Sequence, residues 1–275
     1  MIGFFDSGFG GLTVLKHVVR ELPRYNYLYL GDTARVPYGS RSDWIVYEFT
    51  RQAVDYLFKE GCHLIIIACN TASARALRKI QQEYLPKNFP DRRVLGVIRP
   101  SAEEVVERTN IHKVGILATE GVVAARSYVI EIQNLNPAIQ VYQQACPLLV
   151  PIIEAGEQDW EGTDMIVERY LKELFEQDNE IDTLLLACTH YPILYRTFEK
   201  HVPRGVTIIE QGPLVARKLK DYLLRHPEID RNLRKKGSRV FQTTDKSEKF
   251  DRLACRFYGG PVHSTLVTLD SLCTI

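Results

Sequence analysis

Two near-matching segments, each an apolar run that ends in a cysteine, constrain this chain most. The first reads HLIIIACNT over residues 63–71, and the second reads DTLLLACTH over residues 182–190. Short, continuous apolar runs of this kind are typical of strands that are buried on both faces of a parallel sheet. Two thiols in matched positions suggest one pocket approached from two sides, which is what the movement of a proton across a stereocentre requires.

Composition and charge argue against several classes of protein. The chain has 275 residues, of which 45% are hydrophobic and 25% charged, and its formal net charge is +1. This balance gives no reason to expect nucleic acid or an acidic membrane surface as a partner. The amino terminus lacks the features of a signal peptide, and no apolar stretch approaches the ~18 to 20 residues that span a bilayer. We therefore expect a cytoplasmic protein.

A cytoplasmic location predicts that the six cysteines stay reduced. None belongs to a Cys-x-x-Cys pair, so a structural zinc site and a thioredoxin-type site are not expected, and no metal is predicted. The four cysteines outside the two matched segments are expected to be ordinary core or surface residues. They are Cys62, Cys146, Cys255 and Cys273.

Short β-rich runs alternate with amphipathic helical stretches along the chain. Apolar residues recur at three-to-four spacing over residues 43–60 and 165–175, which predicts helices there. The alternation predicts an α/β fold built from mainly parallel sheets flanked by helices. The predicted strands span residues 3–5, 27–30, 64–68, 94–97, 114–118, 140–144, 184–187, 207–209 and 240–243.

The repeated cysteine strand predicts two pseudosymmetric α/β domains rather than one wide sheet. The first domain is expected to comprise residues 1–96 and 210–275, and the second residues 97–209. Ligands bind such folds at the carboxyl ends of the parallel strands. We therefore expect the active site in the cleft between the domains.

Cys69 and Cys188 stand where a strand ends and a helix is expected to begin. Asn70 and Thr71 in the first segment, and Thr189 in the second, are suitable capping residues. A helix N-terminus favours the thiolate, which is the form of cysteine that accepts a proton. Simple packing would explain one buried cysteine at a strand end, but it leaves the matched pair unexplained.

Two more loops follow predicted strands. Residues 6–11 read DSGFGG, and their glycines permit a tight turn with exposed backbone donors, which suits anion binding. Asp6 and Ser7 would project toward a ligand or, alternatively, cap the helix that follows. In residues 31–40, Pro37 and Gly39 fix the backbone around Tyr38. This loop can offer N–H groups and hydroxyls to a carboxylate.

Together these motifs resemble those of the glutamate racemases, within the aspartate/glutamate racemase superfamily. The resemblance rests on five blocks: FDSGFGGL at 5–12, GDT at 31–33 with PYGS at 37–40, ACNTA at 68–72, CP at 146–147 with VP at 150–151 and Glu154, and ACTHYP at 187–192. It implies a cofactor-independent racemase that converts L-glutamate to D-glutamate for peptidoglycan synthesis, usually as a homodimer.

The resemblance also implies roles for individual residues. Cys69 and Cys188 match the catalytic pair, and Asp6, Glu154 and His190 match auxiliary acid–base groups. The positions that match substrate contacts are Asp6, Ser7, Pro37, Tyr38, Gly39, Ser40, Asn70, Thr71, Thr119, Thr189 and His190. Residues 120–122 read EGV, so a second hydroxyl that the family often has after Thr119 is missing. The chain starts almost at its first strand, so activation by a muramoyl peptide precursor through an N-terminal extension is not expected.

With no cofactor motif evident, catalysis would rest on positioned bases and on electrostatic stabilisation of the carbanion-like species. One cysteine as a thiolate would remove the α-proton, and the other as a thiol would protonate the opposite face. Asn70, Thr71 and Thr189 would bind the α-carboxylate. By the resemblance, Cys69 deprotonates the D-isomer and Cys188 the L-isomer.

Supporting roles follow for two neighbours, since Asp6 would assist Cys69 and His190 would assist Cys188 by holding or relaying a proton.

Three alternative functions stay open. An aspartate racemase shares the cysteine motifs, although the loop at residues 37–40 favours the longer glutamate side chain. A non-catalytic amino-acid-binding module explains a cleft but not paired thiols. A thiol hydrolase or redox protein needs only one nucleophilic cysteine.

Overall fold

The computed structural model describes residues 1–245 and 248–269, so Cys273 lies outside the described residues. The described strands all belong to two sheets. In chain order they are β1 (Ile2–Asp6), β2 (Tyr27–Gly31), β3 (Leu64–Ile67), β4 (Arg93–Gly96), β5 (Lys113–Ala118), β6 (Gln140–Ala145), β7 (Thr183–Ala187), β8 (Thr207–Ile209), β9 (Arg239–Thr243) and β10 (Ser264–Leu266).

Helices connect most of these strands. They are α1 (Leu12–Glu21), α2 (Asp43–Lys59), α3 (Asn70–Arg75), α4 (Leu77–Lys79), α5 (Leu85–Asn88), α6 (Ile98–Arg108), α7 (Glu120–Ala125), α8 (Ser127–Leu135), α9 (Leu149–Ala155), α10 (Glu161–Phe175), α11 (Tyr195–His201), α12 (Gln211–Arg225), α13 (Pro227–Asp230) and α14 (Glu248–Tyr258). Short 3₁₀ turns span Thr33–Arg35 and Tyr191–Leu194, and a π-helical segment spans Ile80–Tyr84.

The strand order of the second sheet repeats that of four strands in the first sheet. The first runs β10-β9-β2-β1-β3-β4, the second runs β6-β5-β7-β8, and every described pairing is parallel. The segment β2-β1-β3-β4 therefore corresponds to β6-β5-β7-β8. In this correspondence β3 and β7 occupy the same position. Cys69 and Cys188, which follow these strands directly in the loops at their carboxyl ends, are therefore topologically equivalent.

Both faces of the first sheet are covered, which explains its continuous apolar strands. Along β1, Ile2 and Phe4 pack into one hydrophobic cluster, whereas Phe5 packs into the cluster on the other face with α2. This is the alternation expected of a strand, whose successive side chains point to opposite faces. The cluster that holds Phe4 also contains Ile116 of β5, so the two sheets share a core.

The predicted α/β fold with two pseudosymmetric parallel sheets is confirmed, and all nine predicted strands overlap an observed one. The strand β10 escaped prediction because it has only three residues, two of them exposed. The helix predicted from residue 165 begins earlier, at Glu161. The boundaries of the domains, 1–96 with 210–275 and 97–209, stay a prediction. Among the described residues, no helix is long and apolar enough to cross a bilayer.

Candidate active site

A cavity of about 430 Å³ lies at the carboxyl ends of the strands of both sheets. This volume falls in the range of roughly 300–1,000 Å³ that is usual for small-molecule sites. Its walls are Ser7, Val36, Pro37, Tyr38, Gly39, Ser40, Cys69, Asn70, Thr71, Thr119, Glu120, Cys146, Pro147, Val150, Pro151, Glu154, Cys188, Thr189 and His190. The cavity therefore holds both matched cysteines, together with hydroxyl, amide, imidazole and carboxylate groups.

A larger cavity of about 730 Å³ lies elsewhere and is lined by residues such as Gln81, Arg99 and Tyr222. No cysteine or histidine of the described chain lines it. Size alone would favour this cavity, but chemistry favours the smaller one, because of the two only the smaller one is lined by the matched thiols and an imidazole, which are groups able to hold and release a proton.

The structure brings the predicted site residues together with one exception. Ten of the eleven positions expected to contact a substrate line the smaller cavity, and Asp6 does not. Asp6 is fully buried behind the wall, where it accepts hydrogen bonds from the Gly8 N–H (3.0 Å) and the Thr189 hydroxyl (3.4 Å). Burial raises the pKa of Asp6, and the positive charge of His190 counteracts part of that effect. Asp6 therefore contacts a wall residue of the cavity, Thr189, rather than the cavity itself.

Cys69 caps the helix α3 with its own sulfur. Its Sγ accepts from the Ala72 N–H at 3.5 Å and lies 3.5 Å from the Ser7 hydroxyl, to which the thiol donates. Burial, reinforced by the charge of Asp6, raises the pKa of Cys69 to about 12. The Ala72 N–H at the start of α3 lowers this pKa, in the direction that the sequence predicts, but desolvation outweighs that single contact. At neutral pH Cys69 is a thiol.

The expected capping residues have other partners. Asn70 and Thr71 lie within the first turn of α3 rather than ahead of it. The chain after Cys188 enters the 3₁₀ turn at Tyr191–Leu194 before an α-helix begins, so Thr189 caps no helix. Its hydroxyl faces Asp6 instead. The sequence predicted a strand end correctly at both cysteines, but not the different backbone that follows each.

His190 links Cys188 to a carboxylate. Its Nε2 lies 2.9 Å from Glu154 Oε1, and the His190 side chain is 6% exposed, whereas the Glu154 side chain is 29% exposed. Burial alone would lower the pKa of His190, but hydrogen bonds with Cys188 and Glu154 overcome it and raise the pKa to about 10. His190 therefore places a positive charge and a hydrogen-bond donor beside Cys188. The two cysteines therefore sit in unlike surroundings.

Several contacts join the walls of the cavity. The hydroxyls of Thr71 and Thr119 lie 3.0 Å apart, and the Thr13 hydroxyl donates to the carbonyl oxygen of Thr189 at 2.8 Å. Gly10 packs so closely here that a Cβ on it would overlap the Thr189 hydroxyl. This close approach, more than a turn, is why residue 10 must be glycine.

The loop that carries Tyr38 is held by a buried carboxylate. Asp32 accepts hydrogen bonds from the Tyr38 hydroxyl, from Arg35 Nε at 2.7 Å and from the Thr244 hydroxyl at 2.8 Å. Burial and the charge of Asp32 raise the pKa of Tyr38 well above its usual value. The Tyr38 hydroxyl therefore orients the loop, and the hydroxyl that this loop can offer to a ligand belongs to Ser40.

Sequence reasoning missed part of the cavity wall. Cys146, expected to be an ordinary residue, lines the cavity with Pro147, Val150 and Pro151. These residues follow β6, which neighbours β5 in the second sheet. Strand order is not readable from local pattern, and only the family motif pointed to this segment. Val36 and Glu120 were also missed as wall residues.

Comparison with known proteins relates this chain to characterised racemases. The profile of the Asp/Glu/hydantoin racemase family matches residues 11–219. A glutamate racemase of Geobacter metallireducens is 38% identical over 94% of this chain and 93% of its own length. Among solved structures, a glutamate racemase of Francisella tularensis in complex with D-glutamate superposes with a TM-score of 0.87, at 32% identity and 98% coverage of both chains. An isoform of glutamate racemase from Bacillus anthracis gives 0.88, at 33% identity over 98% of this chain and 97% of its own.

Proposed function

The chain belongs to the Asp/Glu/hydantoin racemase family, with glutamate racemases as its relatives, and we propose that it interconverts L- and D-glutamate with two thiols and no cofactor. One observation carries the proposal. Cys69 and Cys188 follow topologically equivalent strands of two sheets and line the same cavity. A racemase needs an acid and a base on opposite faces of one carbon, and this arrangement supplies two groups that can serve as either.

The unlike surroundings of the cysteines suggest how the reaction starts from L-glutamate. Cys188, beside the His190 imidazolium, is the thiolate that takes the α-proton, and Cys69, as a thiol, gives its proton to the opposite face. One C–H bond breaks and one forms, and the enzyme ends with a thiol at Cys188 and a thiolate at Cys69. The reverse reaction starts from that state. The preference of Cys69 for the D-isomer and of Cys188 for the L-isomer fits this sequence.

Polar groups of the wall suit the rest of the substrate. Asn70, Thr71 and Thr189 offer an amide and two hydroxyls to the α-carboxylate, on which negative charge grows as the proton leaves. Asp6 would assist Cys69 by holding or relaying a proton, since burial raises the pKa of its carboxyl and so favours the protonated form. The Glu154–His190 pair would hold the proton that balances a thiolate at Cys188.

We extend the proposal to the setting of the enzyme. The product D-glutamate would supply peptidoglycan synthesis in the cytoplasm, and the active form would be a homodimer. These three points rest on the resemblance to glutamate racemases.

An aspartate racemase is the second candidate, and one experiment decides between the two. The purified protein, without added cofactor, is incubated separately with L-glutamate and L-aspartate, and the decay of circular dichroism is followed. Glutamate should racemise faster by at least about tenfold, because one methylene changes specificity by roughly 10- to 200-fold. Faster decay with aspartate would support the second candidate. No decay with either would overturn both candidates.

Replacing Glu154 with glutamine should make stability depend differently on pH. The change removes the charge that helps to raise the pKa of His190 from 6.5 to about 10. A raised histidine pKa stabilises the folded state fully below pH 6.5, and this contribution is lost as the pH rises through 10. Glu154→Gln should therefore be less stable than wild type near neutral pH, with a deficit that shrinks as the pH approaches 10.

Chemical denaturation at neutral and alkaline pH measures this effect. The matched control is Glu228→Gln, since Glu228 pairs with His226 at the same distance of 2.9 Å but on the exposed surface. Exposed pairs contribute little to stability, so the control should follow wild type at every pH. A deficit in Glu154→Gln that stays constant with pH would contradict the assigned role of the pair.

A further inference from the structure

Asn70 and three buried polar side chains behind it form a closed hydrogen-bond network. Gln211, at the start of α12, donates from Nε2 to the Tyr128 hydroxyl at 2.7 Å and to the Ser101 hydroxyl at 2.9 Å. Its Oε1 accepts from Asn70 Nδ2 at 2.6 Å, and the Tyr128 hydroxyl donates to Asn70 Oδ1 at 2.6 Å. All four residues are at least 97% buried. Polar groups this deep are costly unless they are paired, so the network is tightly specified.

The direction of every bond in the network follows from Ser101. Its hydroxyl proton is donated to the carbonyl oxygen of Val97 at 2.6 Å, so toward Gln211 this hydroxyl can only accept. Gln211 must therefore present its NH₂ group to Ser101 and its carbonyl oxygen to Asn70. Asn70 must in turn present its NH₂ group to Gln211. The orientation of an amide that lines the cavity is thus decided by a residue well outside it.

One hydrogen of Asn70 is left over by this arrangement. The Oδ1 atom of Asn70 accepts a hydrogen bond from the Tyr128 hydroxyl, and Gln211 Nε2 lies 3.1 Å from the same atom. One of the two Nδ2 hydrogens of Asn70 is donated to Gln211 Oε1. The second Nδ2 hydrogen has no acceptor among the described residues, although Asn70 lines the cavity beside Cys69. A flipped amide would offer an oxygen at that place, which would repel a carboxylate.

We propose that Gln211 is a positioning residue for the racemisation reaction, which holds the Asn70 amide so that its free N–H meets the substrate α-carboxylate. This inference rests on the proposed function. Tyr128 and Ser101 belong to the same hydrogen-bond network and help to hold the Asn70 amide. Asn70 follows β3 of the first sheet, whereas Tyr128 and Ser101 belong to α8 and α6 beside the second sheet. The amide is therefore set by groups associated with both sheets.

A double-mutant cycle tests the proposal. We compare wild type, Gln211→Met, Asn70→Ala and the double variant by kcat/KM for glutamate and by calorimetric Kd for D-glutamate. Gln211→Met should lower kcat/KM by about 10- to 100-fold, since an unpaired buried amide costs about 1–3 kcal/mol. In the Asn70→Ala background the same change should cost less than about threefold, because its target is gone. If Gln211 serves only in packing, Gln211→Met should lower kcat/KM by the same factor with and without Asn70→Ala.

Tyr128→Phe provides a second test that keeps the buried ring and removes only the hydroxyl. Tyr128→Phe should lower kcat/KM as much as Gln211→Met does, and this loss should again be small in the Asn70→Ala background. The control is Gln81→Met, which removes a hydrogen bond from Gln81 Nε2 to the Val94 carbonyl oxygen (2.7 Å) away from this network, and it should keep wild-type kinetics. Thermal denaturation of every variant checks that the fold is retained.

The possible outcomes separate this inference from the proposed function. If wild type racemises glutamate but the Gln211 and Asn70 effects multiply, the inference is overturned and the function stands. If wild type binds D-glutamate without racemising it, and the Kd values show the coupling, the function is overturned, and Gln211 still positions the Asn70 amide for the bound carboxylate. If glutamate neither binds nor reacts, both are overturned.

Discussion

Racemisation of glutamate should fall by about three orders of magnitude or more when either Cys69 or Cys188 is replaced with alanine, since each thiol would be a general acid or base in every turnover. The loss must be equal in the two directions when it is expressed as kcat/KM. The two enantiomers have the same free energy in solution, so no variant can favour one direction at equilibrium. This equality also serves as an internal check on the rates.

Measurement requires both enantiomers as substrates, with circular dichroism as the readout. Cys255→Ala is the matched control, because Cys255 is a free thiol of intermediate exposure outside the cavity. Binding of D-glutamate by calorimetry should persist in Cys69→Ala and Cys188→Ala, which would show that chemistry rather than folding is lost. Near-normal turnover in either variant would refute a mechanism with two thiols.

The second large effect is expected at His190. Replacing it with alanine should lower kcat by about 100-fold or more, because the change removes the charge-assisted hydrogen bond to Cys188 and a group of general acid–base strength. The ring also packs edge-on against Phe257, with ring centroids 5.2 Å apart, so stability is measured alongside. His190→Asn, which keeps a hydrogen-bonding group but cannot be protonated, should show a similar loss of kcat.

His226→Ala is the control for this experiment. It breaks a histidine–glutamate pair with the same 2.9 Å separation, but on the surface and away from the cavity, and should leave kcat unchanged. Recovery of wild-type kcat in His190→Asn would show that positive charge beside Cys188 is not needed. The support that His190 is proposed to give would then come from a neutral hydrogen bond or from packing.

Much of the fold could be predicted from local pattern. Both cysteine strands are short apolar runs, and such runs reveal buried parallel strands directly. The strand β10 could not be predicted, because Ser264–Leu266 has neither an apolar run nor a clean alternation. Its place at the edge of the first sheet is set by pairing with β9, a tertiary contact.

The sequence could predict which residues line the site, but not the directions in which their side chains point. Residues that follow parallel strands meet at one edge of a sheet, so Ser7, Cys69 and Thr119 could be grouped from the sequence. The direction of a side chain depends on its hydrogen-bond partners in the folded chain, which local pattern does not show. Tyr38 turns its hydroxyl to Asp32. Gln211 lies far from Asn70 in sequence, and no motif links them.

The charge state of the thiols shows the same limit. A helix N-terminus after a cysteine suggests a thiolate, yet Cys69 is too deeply buried for that effect to win, and its pKa is raised to about 12. The imidazolium of His190 lies beside Cys188, whereas the ionisable group that most affects Cys69 is the carboxyl of Asp6. Burial and charge depend on the packed structure, so the asymmetry between two matching motifs emerges only from the fold.

The central claim is that two thiols act on opposite faces of the same carbon, and isotope incorporation in heavy water tests it most directly. Wild-type protein is given L-glutamate in heavy water, and at low conversion the two enantiomers are separated and analysed for deuterium at Cα. The account predicts deuterium in the D-glutamate formed and protium in the L-glutamate that remains, because different groups remove and deliver the proton. Protium retained in the product, or deuterium appearing equally in both enantiomers, would contradict it.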